Sequence, residues 1–210
     1  MNTKGLFVSL AGLIGAGKST LAAKLAEKFC LPLHQETTQD DPKLAEFYQD
    51  RKGHAFAFNI HLLAQRYRQQ QDIFWSAEGA VQDRTLYEDA IFVDMLTEEG
   101  SIAPFAQQAY REMYALLEHN MTHPNLIVYL RVSPQTAYAR IQKRGRESEI
   151  NGIGLDYIER LFAHYERSMK ELARRIPVLV IDWNEDHQDV DRAAEKIVAF
   201  WSEKNLMYEL

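Results

Sequence analysis

The residues with the clearest chemical role form a glycine-rich loop near the start of the chain. Gly12-Leu13-Ile14-Gly15-Ala16-Gly17-Lys18-Ser19 fits the pattern G-x-x-x-x-G-K-[ST] at every fixed position. In such a loop several backbone N–H groups point at one anion, Lys18 reaches the β- and γ-phosphates, and Ser19 ligates Mg²⁺. The alternative is a glycine-rich turn without a ligand. The pattern therefore predicts ATP or GTP bound by Gly12, Gly15, Ala16, Gly17, Lys18, Ser19 and Thr20.

Charged residues follow the next two candidate strands. Glu36 lies where a carboxylate could take a proton from an attacking hydroxyl. Asp83 could hold Mg²⁺ through water, and Arg84 could pair with a carboxylate or a phosphate. The alternatives are a solvated loop acid at Glu36 and a surface ion pair at a helix start for Asp83 and Arg84.

A basic cluster lies in the second half of the chain. Arg140 and Arg144 are four residues apart and share a helix face, and Lys143 and Arg146 lie beside them. Glycines follow at 145, 152 and 154, which indicates a mobile segment. We expect residues 140–152 to form an arginine lid that closes on phosphates. The alternative is an ordinary cationic helix end.

Short apolar runs alternate with segments of helical periodicity along the whole chain. Strands are predicted at Leu6–Leu10, Leu31–His34, Gly79–Asp83, Leu126–Leu130 and Val178–Ile181. A helix is predicted over Pro42–Gln71, broken near Gly53, with an apolar stripe of Phe56, Ile60, Leu63 and Tyr67. This alternation predicts an α/β fold with a five-stranded parallel sheet covered by helices. Residues that directly follow the strands should then converge at one edge of the sheet.

Composition limits the class of protein further. The 210 residues fit one domain spanning 1–210, and 24 basic against 30 acidic residues give a net charge of −6. That charge argues against a general nucleic-acid surface. The single Cys30 excludes an intramolecular disulfide and a cysteine-based zinc site. No apolar run approaches the ~20 residues of a membrane span, so we expect a cytoplasmic protein without membrane or nucleic-acid partners.

Further stretches combine with the phosphate loop and Glu36 into a recognisable set. They are Glu46-Phe47-Tyr48, Ala55-Phe56-Ala57-Phe58-Asn59, Asp83-Arg84-Thr85-Leu86-Tyr87-Glu88-Asp89, and Arg144-Gly145-Arg146 before Gly154-Leu155-Asp156-Tyr157. With this set the chain resembles the deoxyribonucleoside kinase family, from about Leu6 to Phe200. The resemblance implies a phosphate-loop kinase fold, a homodimer, and transfer of the γ-phosphoryl group of ATP, with Mg²⁺, to the 5′-hydroxyl of a deoxyribonucleoside.

The resemblance also implies a role for each matching residue. Glu36 matches the general base for the 5′-hydroxyl, and Arg84 matches the arginine that orients that hydroxyl. Tyr48 and Glu149 match the pair that holds the sugar 3′-hydroxyl. Other matches are Arg66 and Asp89 near the base edge, Arg140, Arg144 and Arg146 on the donor phosphates, and Asp186 and His187 in the loop over the donor base.

The position expected to read the base departs from the family pattern. Asn59 stands where most members carry Gln, and Arg66 lies seven residues on, on the same helix face. An amide offers one donor and one acceptor, as the edge of adenine requires. Since the Asn side chain is one methylene shorter, a larger purine fills the gap better than a pyrimidine. We expect a purine deoxynucleoside as acceptor, deoxyadenosine first, with deoxycytidine as a further candidate and thymidine poor.

Two other functions remain open at this point. A nucleoside monophosphate kinase, such as a thymidylate kinase, also has an arginine lid and an Asp-Arg motif, but it needs no base for a neutral hydroxyl. A GTP-binding regulatory switch would read guanine with an Asn-Lys-x-Asp type of loop, and the sequence contains no such stretch.

Overall fold

A parallel five-stranded sheet forms the centre of the computed structural model, which describes residues 5–36, 42–76, 78–185 and 189–206. The strands are β1 Phe7–Gly12, β2 Leu33–His34, β3 Ala80–Asp83, β4 Leu126–Arg131 and β5 Val178–Asp182. Their order is β2-β3-β1-β4-β5, and every pairing is parallel. The predicted α/β class and sheet are therefore confirmed.

Burial of the central strands explains their continuous apolar runs. All six residues of β1 are buried, as are the first five of β4, because a parallel sheet is covered by helices on both faces. Leu10 pairs with Asp83 on one side and with Val128 on the other. This register places the carboxyl end of β3 directly beside the start of the phosphate loop.

Helices connect the strands and cover both faces of the sheet. The described residues form α1 Lys18–Phe29, α2 Pro42–Gln49, α3 Arg51–Ser76, α4 Leu86–Glu98, α5 Pro104–His119, α6 Pro134–Arg144, α7 Glu147–Gly152, α8 Leu155–Leu172 and α9 Val190–Leu206. Within those ranges, no helix has the length and apolar character needed to cross a membrane.

The helix predicted over Pro42–Gln71 differs from the structure in two ways. The break lies at Asp50 and not at Gly53, because the Asp50 carboxylate accepts a 3.0 Å hydrogen bond from the Gly53 N–H and so caps the start of α3. The predicted apolar stripe was wrong at Phe56, which is 38% exposed. The buried face of α3 instead contains Ala55, Phe58, Asn59, Leu63, Arg66, Gln70 and Ile73.

Candidate active site

The phosphate loop joins β1 to α1 along a path that needs its glycines. A Cβ on Gly12 would lie 2.8 Å from the carbonyl oxygen of Leu130, and one on Gly15 would lie 2.5 Å from that of Ala137. Gly15 also has φ +81°, a left-handed conformation that costs other residues about 1–2 kcal/mol. The sequence pattern thus corresponds to a backbone shape, and the loop leads into the positive end of α1.

Lys18 is the first residue of α1, and its ammonium group lies against the loop. Nζ donates hydrogen bonds of 2.8 Å to the Gly12 carbonyl and 2.9 Å to the Leu13 carbonyl. Burial, helped by the nearby Arg84, lowers the pKa of Lys18 to about 8. A desolvated cation at this place is suited to an anionic phosphate, which would stabilise its charged form.

Glu36 and Arg84 meet at the same edge of the sheet, as predicted from the alternation of strands and helices. Arg84 Nε donates a 2.9 Å hydrogen bond to Oε1 of Glu36, and Arg66 Nη2 lies 3.4 Å from the same oxygen. Burial alone would lower the pKa of Arg84, but Glu36 and other anions raise it well above its usual value. The carboxylate is only partly covered, with 15% of its side chain exposed, so it can still face a substrate.

Asp83 lies at the end of β3 beside the phosphate loop and is fully buried. Burial raises the pKa of its carboxyl group, while Lys18 and the nearby Ser19 hydroxyl lower it. Apart from that Ser19 hydroxyl, neither carboxylate oxygen has a hydrogen-bond partner among the described residues. Buried carboxylate oxygens with so few partners fit a partner that enters with a ligand.

A cavity of about 300 Å³ opens between the phosphate loop and α3. Its apolar walls include Phe47 and Phe58, whose rings stack at 5.1 Å. Its polar wall carries Asn59, Arg66 and Glu36, together with Gly15, Gly17, Lys18, Ser19 and Thr20 from the loop and α1. Flat aromatic walls with a few polar groups suit a small planar ligand.

Two side chains of α3, Asn59 and Arg66, lie in the polar wall where the sequence predicts recognition of a base, and Asp89 of α4 lies behind them. Arg66 Nε donates a 2.6 Å hydrogen bond to Oδ1 of Asp89, which is 1% exposed. Burial raises the pKa of Asp89 to about 6, although Arg66 opposes that rise. Asn59 is also buried, and its Nδ2 donates a 2.8 Å hydrogen bond to the Ala55 carbonyl of the preceding turn.

The predicted lid begins in α6 and continues through α7. Gly145, with φ +76°, ends α6. Arg144 and Arg146 line the cavity, and both pair with Glu149, which is 4% exposed. Tyr48 lines the same cavity and packs so closely on Gly152 that a Cβ there would lie 2.5 Å from its own Cβ. The structure thus brings the predicted sugar pair, Tyr48 and Glu149, to one side of the cavity.

Arg140 lies apart from the other lid arginines. Its guanidinium donates hydrogen bonds to the carbonyls of Trp183 at 3.0 Å and Glu185 at 3.1 Å, and it lies 3.5 Å from the Ala16 carbonyl of the phosphate loop. It therefore links the loop to the segment after β5. Asp186 and His187, predicted to cover the donor base, lie outside the described residues.

Sequence reasoning missed several residues that build the site. Glu88 and Tyr165 both contact Arg84, and Arg51 stacks over the Tyr157 ring at 4.4 Å while donating to the Gly152 carbonyl. Thr85 and Glu88 have the three-residue spacing of a capping box, which predicts the cap of α4. That spacing does not predict the contact of Glu88 with the Gly12 N–H, because β1 and α4 are far apart in the sequence.

Known proteins share this architecture along nearly the whole chain. The family model described as "Deoxynucleoside kinase" matches residues 8–206. The deoxyadenosine kinase of Dictyostelium discoideum is 37% identical over 207 residues, covering 99% of this chain and 84% of that protein. The deoxyguanosine kinase of Bacillus subtilis is 34% identical, covering 86% of each.

Solved structures agree with the sequence relatives. The deoxyadenosine kinase of M. mycoides with bound dATP superposes with a TM-score of 0.82 at 30% identity, covering 94% of this chain and 100% of that one. The same enzyme with the products dCMP and dCDP gives a TM-score of 0.83. These matches decide against a regulatory switch and against a monophosphate kinase. The chain belongs to the deoxynucleoside kinase family and is an ATP-dependent deoxynucleoside kinase.

Proposed function

We propose that the preferred acceptor is a purine deoxynucleoside, deoxyadenosine first, with deoxycytidine as a further candidate and thymidine poor. The observation that carries this proposal is the buried Arg66–Asp89 pair, in which Arg66 lies beside Asn59 in the polar wall of the cavity and Asp89 lies behind them. The relatives named as deoxyadenosine and deoxyguanosine kinases support the purine class.

The shape of the base wall favours a larger ring system. The bond to the Ala55 carbonyl holds the Asn59 amide against its own helix. Compared with Gln at this position, the amide lies about one C–C bond, roughly 1.5 Å, further back. A purine spans that gap more easily than a pyrimidine. The methyl group of thymidine would meet the charged Arg66–Asp89 pair and leave it poorly solvated, at a cost of about 1–3 kcal/mol.

The transfer step uses Glu36 as general base and Arg84 as the residue that orients the hydroxyl. Glu36 accepts the proton of the 5′-hydroxyl while that oxygen forms a bond to the γ-phosphorus. The bond from the γ-phosphorus to the β–γ bridging oxygen breaks, and ADP leaves. Arg84 Nε donates a 2.9 Å hydrogen bond to Glu36 Oε1. Its positive charge stabilises the negative charge that develops during transfer.

The lid and α2 hold the remaining parts of the two substrates. Tyr48 and Glu149 bind the 3′-hydroxyl of the sugar from one side of the cavity. Arg144 and Arg146 exchange their contacts with Glu149 for the donor phosphates, and Arg140 holds the donor beside the phosphate loop. Arg guanidinium groups suit this role because they form paired hydrogen bonds to phosphate oxygens.

Ser19 and Asp83 are the residues that would hold Mg²⁺. Apart from the Ser19 hydroxyl beside them, the two buried Asp83 oxygens have no hydrogen-bond partner among the described residues. Mg²⁺ commonly binds through one or two protein oxygens together with substrate phosphates. When bound, the ion neutralises part of the phosphate charge.

An exposed apolar surface on α3 and α5 supports a homodimer. Phe105, Met113 and Leu116 are 82%, 49% and 66% exposed on one side of α5, and Trp75 at the end of α3 is 77% exposed. Exposed apolar patches are typical of protein interfaces. We expect sedimentation to give twice the mass of one chain, and Leu116→Glu to give the mass of one chain.

Charge and thiol content support a cytoplasmic enzyme without a nucleic-acid partner. The net charge is −6, and the single Cys30 is a free, exposed thiol. Exposed free thiols are typical of reducing compartments.

A panel of acceptors tests the proposed specificity. The chain is given ATP, Mg²⁺ and each of the four deoxynucleosides, with deoxyadenosine monophosphate as the matched control acceptor. We expect kcat/KM to rank deoxyadenosine first and thymidine last, with no phosphorylation of the monophosphate. If thymidine leads, the assignment of the base wall is wrong.

A further inference from the structure

Glu88 is a fully buried carboxylate whose neighbours exceed what its helix cap requires. It is 0% exposed and lies in the first turn of α4. Its Oε2 accepts a 2.8 Å hydrogen bond from the Thr85 N–H, which completes the capping box of α4. A capping glutamate needs no further partner. It does not line the nucleoside cavity.

The second oxygen of Glu88 collects three donors from three separate parts of the fold. Oε1 accepts hydrogen bonds from the Gly12 N–H at 3.1 Å, the Tyr165 hydroxyl at 2.6 Å and Arg84 Nη1 at 3.3 Å. The Tyr165 hydroxyl also lies 2.9 Å from Arg84 Nη1. Hydrogen bonds to an ionised carboxylate are about twice as strong as neutral ones. This oxygen therefore holds Gly12, Tyr165 and Arg84 together.

Two of these donors lie on different sides of the site: Gly12 on the side of the donor phosphates and Arg84 on the side of the nucleoside. Gly12 is the first residue of the phosphate loop, and Arg84 is bonded to Glu36 on the acceptor side. Arg84 has φ +71°, a left-handed conformation that a non-glycine residue adopts only at a cost. Its guanidinium lies 5.2 Å above the Phe92 ring. A conformation of that kind persists only when several contacts hold it.

We propose that Glu88 is a positioning residue that fixes Arg84 relative to the phosphate loop and thereby sets the distance between donor and acceptor. The inference rests on the proposed roles of Glu36 and Arg84. Glu88 touches neither substrate in this account. Its Oε1 accepts hydrogen bonds from both Gly12 and Arg84, and the Tyr165 hydroxyl of α8 donates to the same oxygen and stabilises its position.

The contacts determine how Glu88 acts on catalysis. Transfer requires near-attack geometry, and a small misplacement of a positioned group lowers rate more than affinity. Gln at position 88 has the same shape but only one acceptor oxygen. It cannot both cap Thr85 and accept from Gly12, Tyr165 and Arg84, so one set of contacts is lost. The nucleoside cavity keeps its own lining residues.

The test compares Glu88→Gln with Glu166→Gln as a matched control. Glu166 of α8 is also a carboxylate with three hydrogen bonds, one from Tyr129 and two from Arg131, and these come from β4 and not from Arg84 or the phosphate loop. For each variant, kcat with ATP and the nucleoside Kd without ATP are measured. For Glu88→Gln we expect kcat to fall by about 10- to 100-fold, the range for lost bonds to charged groups, with nucleoside Kd changed by less than about 3-fold.

A second variant keeps the proposal testable if Glu88→Gln does not fold. Tyr165→Phe leaves the Glu88 charge in place and removes one donor, so we expect kcat to fall by about 3- to 10-fold with the same nucleoside Kd. A kcat equal to that of the wild type in whichever variant folds would overturn the proposal. So would a parallel loss of kcat and nucleoside affinity, which indicates general damage to the fold.

The controls separate this inference from the proposed function. If the wild type and Glu166→Gln both phosphorylate deoxyadenosine while Glu88→Gln matches them, only the role of Glu88 fails. If the wild type phosphorylates no deoxynucleoside, the proposed function fails and the inference falls with it.

Discussion

Arg84 Nε donates a 2.9 Å hydrogen bond to Glu36 Oε1, although the two residues are 48 positions apart in the sequence. The contact follows from the strand order, because β2 and β3 are neighbours and end at the same edge of the sheet. The proposed general base and the proposed orienting arginine are therefore brought together by the fold itself. The phosphate loop follows β1, the next strand along, so the proposed donor site lies at the same edge.

The pH dependence of donor use reports the charge on Lys18. Its pKa is lowered to about 8, chiefly by burial, so the ammonium is present below that pH and is lost above it. Since kcat/KM reports the free enzyme, we expect kcat/KM for ATP to fall above a pH of about 8. Lys18→Ala should abolish transfer and leave the fold intact, because Lys18 acts on transition-state charge. Lys28→Ala, on the exposed side of α1, is the control; a flat profile from neutral to alkaline pH would contradict the prediction.

Removal of a lid arginine should affect the donor more than the nucleoside. Arg144 and Arg146 are both held by Glu149 at the edge of the cavity. For Arg146→Ala we expect kcat to fall by at least about 10²-fold, as for other arginines that stabilise a transferring phosphoryl group. Nucleoside binding measured without ATP should stay unchanged. Arg160→Ala, which removes an exposed arginine of α8, serves as control, and comparable losses in both variants would contradict the assignment.

Tyr48 should give the enzyme a preference for 2′-deoxy sugars. It is half-buried against Gly152 at the cavity wall, so we expect it to leave little room beside C2′ of a bound sugar. We expect kcat/KM for deoxyadenosine to exceed that for adenosine by at least about 10-fold. Tyr48→Phe should lower kcat/KM for deoxyadenosine. It should not lower kcat/KM for 2′,3′-dideoxyadenosine, which lacks the 3′-hydroxyl that we assign to Tyr48. Equal kcat/KM for deoxyadenosine and adenosine would rule out this role of Tyr48.

Asn59→Gln should change the order of the bases. The longer amide extends further into the cavity, so purines lose room and pyrimidines gain a partner. We expect the ratio of kcat/KM for deoxyadenosine to that for deoxycytidine to fall. Asn120→Gln is a matched control, because Asn120 makes the same bond to the carbonyl four residues back, at an exposed helix end. An unchanged ranking would show that Asn59 does not read the base.

The sequence was sufficient for features that depend on local pattern and strand order. The spacing of Gly12, Gly15, Gly17 and Lys18 predicted the loop, and the alternation of strands and helices predicted the convergence of Glu36 and Arg84. The fold class is confirmed for the same reason. Such features follow from nearby residues and from the general rule that parallel strands end at one edge.

Features that depend on contacts between distant segments were not predictable. The apolar stripe through Phe56 was wrong because the buried face of α3 is turned toward the polar cavity, where Asn59 and Arg66 replace apolar residues. Glu88 carries a clear local signal as a capping residue, yet its bond to the Gly12 N–H depends on the packing of β3 against β1. The break in the α2–α3 region was misplaced because Gly53 suggested a turn, whereas Asp50 forms the cap.

Glu36→Gln tests the central claim most directly. The amide keeps the shape of the side chain but cannot take the proton of the 5′-hydroxyl, so the account predicts that kcat falls by about 10²- to 10⁴-fold, the usual effect of general base catalysis. Nucleoside binding, measured by titration without ATP, should remain close to that of the wild type, and Glu166→Gln should retain full turnover. A Glu36→Gln variant that binds the nucleoside and turns over near the wild-type rate would contradict the account.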